Sequence, residues 1–169
     1  LVNGAALPRY PGLRFGLPVM PVTLDPRFAT DAVSVRLNRL LYQHLVDFDA
    51  NAMPRPELAD WDRRSPTLYR FTRRAPRPAF SNGAPLTARD VKATYDYLLD
   101  ERNASPHRLS LTNIASVTVD GAEVVQFRLH RPDPLFPGRL GIGILPAELI
   151  AAGHAFNREP VGSGPFELA

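Results

Sequence analysis

The chain has 169 residues, 44% hydrophobic and 22% charged, which suffices for one domain with a core and argues against global disorder. Its net charge of +3 is small for this length, so charge alone does not indicate nucleic-acid binding. Cysteine is absent, which excludes disulfides, thiolate nucleophiles and thiolate metal sites.

Hydrophobic periodicity in the first half predicts one helix among several strands. The helix is expected over 31–45, with Thr30 or Asp31 as its N-cap and an apolar face that includes Leu37, Leu41 and His44. Period-two alternation predicts strands on both sides of it. The predicted strands cover residues 13–17, 46–49, 58–61 and 68–73.

The second half predicts two helices and a hairpin. Thr87 and Asp90 form a capping-box pattern at the start of a helix that ends by Asn103. A hairpin follows over 114–129, with Asp120-Gly121 as a favoured tight-turn pair. The remaining elements are a short helix over 146–153 and a strand that begins at residue 166. This mixed order favours the α+β class.

The sequence Asp47-x-Asp49-x-Asn51 matches the beginning of a calcium-binding loop. Such a loop needs glycine at its sixth position and glutamate at its twelfth, but those positions hold Ala52 and Leu58. The pattern therefore predicts a polar hairpin turn instead of a calcium site.

No other motif assembles a metal or catalytic site. The four histidines are spaced too widely for a local metal motif, and His44 is expected to be a hydrogen-bonded core or rim residue. Residues 162–164 lack the lysine of a phosphate loop, so their glycines are expected to allow positive φ in a close approach to a strand. Asp60 and Asp62 are expected at solvated strand positions. We therefore expect no enzyme, no metal and no cofactor.

One basic cluster leaves a second hypothesis open. Its arginines alternate with aromatic residues, as on a surface that binds single-stranded nucleic acid or another anionic polymer. The alternation also fits a solvated strand face whose aromatics point into the core, and we favour that interpretation. The cluster comprises Arg63, Arg64, Arg70, Arg73, Arg74 and Arg77, with Tyr69, Phe71 and Phe80.

The order of short motifs along residues 13–168 resembles the peptide- and nickel-binding family of extracytoplasmic solute receptors of ABC importers (family 5). Each motif is modest alone, but their ordered succession is specific. The loop at 75–79 and the short segment 100–114 depart from the family pattern. The matching segments are Leu-Asp-Pro at 24–26, LYQHLVDFD at 41–49, PELADW at 56–61, SNGAPLTARDV at 81–91, PDPLF at 132–136 and PVGSGPF at 160–166.

This resemblance implies a fold and a domain organisation. The fold would be the N-terminal part of a two-lobed, periplasmic-binding-protein-like (type II) structure. Residues 1–30 would begin lobe I, residues 31–159 would form its extra subdomain, and residues 160–169 would return into lobe I. Since family members are much longer, lobe II would lie outside this sequence.

The resemblance also implies a function. The protein would be the substrate-binding component of an ABC import system, with peptides as the leading cargo, and the ligand would contact Met20, Pro21 and Val22. Proline has no N–H, so Pro21 would offer only its carbonyl and contact area. The expected partners are a small peptide or other small solute and the permease subunits of the transporter, with no nucleic acid. We expect a monomer that is periplasmic or anchored on the outer face of the membrane.

Overall fold

The computed structural model describes Gly16 and residues 19–168. The predicted strand over 13–17 lies outside the described residues, apart from Gly16. The described residues form four α-helices and two antiparallel sheets, one of two strands and one of four. This arrangement confirms the α+β class.

Helix α1 (Ala32–Leu41) begins where predicted but ends earlier. The Asp31 carboxylate accepts a hydrogen bond of 2.9 Å from the N–H of Ser34, so Asp31 is the N-cap. The predicted end at residue 45 is wrong because Tyr42 adopts extended backbone, and the chain then crosses the core without helical structure. The predicted apolar face lies on the inner side of α1, where Leu41 is buried and Leu37 is half-buried, but the polar residues Ser34 and Asn38 are the other fully buried residues of the helix.

The chain then forms a small sheet of β1 (Val46–Phe48) and β2 (Pro54–Pro56). Strand β2 was not predicted because it contains two prolines, which cannot donate to a ladder. A two-stranded sheet tolerates them, since each of its strands has a free edge.

The larger sheet has the order β3-β4-β6-β5. Its strands are β3 (Ala59–Ser65), β4 (Leu68–Arg73), β5 (Ile114–Asp120) and β6 (Val124–Leu129). The predicted hairpin is confirmed, although three residues, 121–123, connect its strands. Gly121 opens this connection with φ of +66°, a conformation that favours glycine.

Helix α2 (Ala88–Leu99) packs on the inner face of this sheet. The predicted extension to residue 103 is interrupted at Asp100, after which a 3-10 turn (Glu101–Asn103) and α3 (Arg108–Leu111) follow. Helix α4 (Ala147–Ala151) lies between Pro146 and Gly153, as predicted. The main core unites sheet and helix through side chains that include Phe71, Tyr95, Leu98, Phe127, Phe136 and Ile144.

A second, smaller cluster joins both ends of the described chain. It consists of Leu41, Tyr42, Leu145 and Phe156, with Leu24 and Val161 among the residues packed against it. The predicted strand at residue 166 is wrong, because residues 166–168 form no strand. Within the described part of the chain, no helix is long and apolar enough to cross a bilayer.

Candidate ligand-binding segment

The predicted ligand contacts lie on an irregular segment at the protein surface. Met20 and Val22 are 79% and 77% exposed, and Val19 beside them is 61% exposed. Pro21 is partly buried. The structure thus presents three apolar side chains, Val19, Met20 and Val22, to solvent within four residues.

The chain becomes fixed immediately after this segment. The N–H of Thr23 donates to Oγ of Ser34 on α1 at 3.0 Å, and the N–H of Leu24 donates to Oδ1 of Asn157 at 2.9 Å. The Tyr42 hydroxyl donates to the carbonyl oxygen of Leu24 at 3.1 Å, and burial raises the pKa of that hydroxyl. Helix α1 with its C-cap Tyr42, and the loop at Asn157, therefore fix the chain directly after residues 19–22.

A buried ion pair completes this attachment. Nε and Nη2 of Arg27 donate to the Asp25 carboxylate at 3.0 and 2.7 Å, and both side chains are 8% exposed. The guanidinium carbon lies 4.0 Å from the ring centroid of Tyr97 and 5.1 Å from that of Phe156. Such placement over aromatic faces is a cation–π interaction that strengthens as water is excluded.

No local sequence pattern indicates this buried ion pair. Asp25 belongs to the Leu-Asp-Pro motif, and Arg27 carries no periodic signal. An aspartate followed by a proline is typical of a turn. Their burial depends on Tyr97 and Phe156, which are distant in sequence, so no local pattern could reveal it.

The other end of the described chain is fixed to the same helix. The N–H groups of Gly164 and Phe166 donate to the carbonyl oxygens of Leu41 and Leu40 at 2.9 and 3.1 Å. A Cβ atom on Gly162 or Gly164 would overlap these backbone carbonyls. Residues 162–164 therefore make the expected close approach, but they approach the last residues of α1 and not a strand. The expected positive φ is wrong, because glycines 83, 121 and 153 are the ones with positive φ among the described residues.

The calcium-like motif is a hairpin turn, as predicted. Oδ1 of Asp49 accepts from the N–H groups of Asn51 and Met53 at 2.8 and 3.0 Å, which closes the connection between β1 and β2. Asp47 is bound by Arg39 and Arg55. Both carboxylates are therefore already bound within the protein, Asp49 by backbone N–H groups and Asp47 by arginines.

His44 is buried and hydrogen-bonded, as expected, although it lies beyond the end of α1. Its Nδ1 lies 3.1 Å from Oε2 of Glu57, which also accepts from the N–H of His44. Across residues 19–168, no group of three or more His, Asp or Glu side chains is placed to hold a metal ion.

Four arginines of the basic cluster, Arg63, Arg64, Arg74 and Arg77, are exposed as expected, whereas the Arg73 side chain is only 7% exposed. Tyr69, Phe71 and Phe80 are buried and cannot stack on bases. Most of the arginines pair with carboxylates: Arg64 with Asp62, Arg70 with Asp120, Arg73 and Arg77 with Glu123, and Arg74 with Asp60. These contacts neutralise most of the charge that an anionic polymer would need.

Residues 77–169 match the family model described as bacterial extracellular solute-binding proteins, family 5 Middle. An uncharacterized protein, YhjP, of Bacillus subtilis is 32% identical over 133 residues, which are 76% of this chain and 22% of YhjP. The chain thus spans about a fifth of that relative.

Two solved structures resemble the fold closely. The oligopeptide-binding protein AppA from Bacillus subtilis, in complex with a nonapeptide, has a TM-score of 0.79 and 26% identity, covering 86% of this chain and 31% of AppA. NikZ from Campylobacter jejuni, in complex with Ni(L-His), has a TM-score of 0.78 and 27% identity, covering 89% of this chain and 31% of NikZ. These matches confirm the expected type II binding-protein fold.

Proposed function

The chain belongs to the bacterial extracellular solute-binding proteins of family 5, and we propose that it acts in the substrate-binding component of an ABC importer that takes up peptides. The observation that carries this proposal is the likeness to AppA, a protein solved with a nonapeptide. Proteins of this family bind solutes and are not enzymes. The likeness to NikZ leaves a metal chelate as the competing cargo.

The ligand would lie against residues 20–22. Among the described residues, the N–H groups of Met20 and Val22 donate no backbone hydrogen bond, and Pro21 has none to donate. An extended peptide pairs readily with free main-chain groups, while apolar side chains such as Met20 and Val22 add contact area. The rigid anchor at Thr23–Arg27 would hold these groups in place before the ligand arrives, which lowers the entropy cost of binding.

The domain organisation follows the same proposal. Residues 31–159 would form the extra subdomain of lobe I, residues before 31 would lead into it, and residues after 159 would return to lobe I. The protein would work outside the cytoplasm as a monomer and deliver its solute to the permease subunits. The hypothesis of nucleic-acid binding is set aside because the aromatic residues of the basic cluster are buried.

Calorimetric titration of the longest natural form of the protein with a pool of di- to oligopeptides tests the cargo. A peptide at about 100 times its Kd should also raise the free energy of unfolding by about 2.7 kcal/mol. Heat of binding from peptides, and none from nickel–histidine, is the expected result. The reverse pattern would replace the peptide cargo with a metal chelate.

Substitution of Val22 tests the site. Val22→Pro removes one N–H donor and should weaken peptide binding about fivefold, since a hydrogen bond contributes about 1 kcal/mol. Val22→Ala keeps the N–H and serves as the matched control for the lost side chain. Unchanged affinity in Val22→Pro would show that this main-chain group does not contact the peptide.

A further inference from the structure

Three connections of the chain meet at one end of the four-stranded sheet: the β3–β4 turn, the segment from α3 into β5 and the segment that follows β6. The N–H of Leu129 donates to the carbonyl oxygen of Thr67 at 2.8 Å, and the N–H of His130 donates to that of Asn113 at 2.8 Å. The Asn113 side chain accepts from the N–H of Arg131 and donates to its carbonyl oxygen, each at 3.0 Å. These bonds hold the three connections side by side, and we call this surface the loop end of the sheet.

Two leucines of the loop end are exposed to solvent. Leu109 is 81% exposed and Leu135 is 71% exposed, so neither side chain contributes to the core. Leu109 lies four residues before Asn113 and Leu135 four residues after Arg131, so each is within about 14 Å of the bonds that join the connections. Because single exposed apolar residues are common on soluble proteins, the charges around these two decide what they indicate.

The loop end also carries arginines without a carboxylate partner. Arg128 and Arg131 are exposed, and neither forms an ion pair within the described part of the chain. The same holds for Arg63, which lies opposite Tyr69 in the register of β3 with β4. The Tyr69 hydroxyl donates to the carbonyl oxygen of Asp133 at 2.8 Å, which brings this register position to the segment after β6.

The carboxylates beside these residues are already paired with other arginines. Among the described residues, three positive charges of the loop end therefore lack a compensating carboxylate. The occupied pairs are Asp62 with Arg64 at 2.9 Å, Asp133 with Arg139 at 2.7 Å and Glu101 with Arg108 at 3.7 Å.

This combination of groups favours a lipid surface over other anionic partners. Basic residues are attracted to the headgroups of an anionic bilayer, and exposed apolar side chains beside them enter the boundary between headgroups and acyl chains. A protein partner would need a separate apolar pocket for each of the two leucines. A polyanion without apolar groups would leave both leucines in water.

We propose that the loop end of the sheet binds reversibly to the surface of an anionic lipid bilayer. Arg63, Arg128 and Arg131 would lie at the headgroups, and Leu109 and Leu135 would enter the interface. This surface is separate from residues 20–22, and its role does not depend on the cargo.

Cosedimentation of the longest natural form of the protein with lipid vesicles tests the proposal. Vesicles of equal parts phosphatidylglycerol and phosphatidylcholine should bind it about 100-fold more tightly than vesicles of phosphatidylcholine alone. This expectation follows from about fivefold, or about 1 kcal/mol, for each of the three arginines near the anionic surface. High salt should remove most of the difference, because it screens exposed charges.

Substitution of the arginines locates the surface. The triple variant Arg63→Gln, Arg128→Gln, Arg131→Gln should lose the preference for anionic vesicles. The matched control removes the same charge from three other exposed arginines that form no ion pair in the described part of the chain, and it should keep the preference. The control variant is Arg36→Gln, Arg89→Gln, Arg158→Gln.

Substitution of the leucines tests insertion. Leu109→Ser with Leu135→Ser should weaken binding to anionic vesicles about tenfold, since both apolar side chains then gain nothing from leaving water. Met53→Ser, at a residue that is 58% exposed in the turn between β1 and β2, should preserve binding.

Equal binding to the two kinds of vesicle, or equal losses in the two triple variants, would overturn the proposal. Unchanged binding of the leucine variant would overturn it as well, because insertion would then be absent. Binding to polyglutamate without binding to anionic vesicles would replace the bilayer with an acidic protein partner. Should a variant fail to fold, the comparisons of lipid composition and salt in the unsubstituted protein decide the question alone.

Discussion

The guanidinium of Arg27 lies 4.0 Å from the ring centroid of Tyr97 while it forms a two-point ion pair with Asp25. Tyr97 belongs to α2, so this contact fastens the segment after residues 20–22 to the helix that covers the main sheet. The Arg27 carbonyl also accepts from Oγ of Ser105 at 2.7 Å. Arg27 therefore connects the segment after residues 20–22 to α2 through its side chain and to Ser105 through its backbone carbonyl.

Replacement of Arg27 by leucine should destabilise the protein by about 3–5 kcal/mol, since it leaves the Asp25 carboxylate buried without its partner. The double variant Arg27→Leu, Asp25→Asn should recover part of that loss because no buried charge remains. Urea denaturation measures both. A double variant as unstable as the single one would mean that packing of the guanidinium, and not the ion pair, provides the stability.

Asp90→Glu should destabilise the protein, although glutamate is the preferred residue at this position of a capping box. Oδ2 of Asp90 accepts from the N–H of Thr87 at 2.8 Å, while Oδ1 accepts from the N–H of Ala147 at 2.8 Å. The longer side chain cannot keep both contacts in a buried site. We expect a loss of about 1–3 kcal/mol from thermal unfolding. An equal or higher Tm would mean that the contact with α4 is dispensable.

Gly162→Ala should cost about 1–3 kcal/mol, because the new Cβ would overlap the carbonyl oxygen of Leu41, a backbone atom at the end of α1. Gly138→Ala is the matched control, since its Cβ would lie 3.8 Å from the Phe48 ring in ordinary contact. The control should change stability by less than about 0.5 kcal/mol. Similar stabilities of the two variants would contradict the close approach of residue 162 to the helix.

The side-chain hydrogen bond from Arg102 lowers the pKa of the half-buried Asp100 carboxyl to about 2. A carboxyl whose pKa is lower in the folded state stabilises the protein above its ordinary pKa near 3.9, and this contribution disappears as pH falls towards 2. Arg102→Ala should raise the Asp100 pKa, as followed by the side-chain carbon shift against pH. Arg108→Ala should raise it less, because Arg108 acts only at longer range. Equal effects of the two variants would refute the direct bond.

Most elements of the fold could be predicted because their signals are local. Alternating apolar residues and the Asp120-Gly121 turn pair suffice to predict the hairpin. A capping-box pattern and an apolar face suffice to predict α2. The predicted helix α1 is too long because His44 and Leu45 continue its apolar spacing, although both are buried after Tyr42 has taken up extended backbone. Periodicity cannot distinguish a buried extended run from another helical turn.

The candidate sites were harder to predict from the sequence than the helices and strands. The exposure of Met20 and Val22 agrees with a contact role, but the resemblance alone suggested these residues. The buried ion pair of Arg27 with Asp25 depends on packing against Tyr97 and Phe156, which are distant in sequence. The buried polar residues of α1 have one local sign: Asn38 follows Ser34 by four residues, so the two lie on one face of the helix.

The attachment of both ends of the described chain to α1 has a mechanical consequence. Thr23 is bound at Ser34 and Phe166 at Leu40, six residues apart, which is about 9 Å along the helix axis. Tension applied between these two points would be carried first by α1 and the few bonds around it. The four-stranded sheet bears no force until those bonds break. Force applied at Thr23 and Phe166 would therefore break their hydrogen bonds to α1 before it disrupted the core.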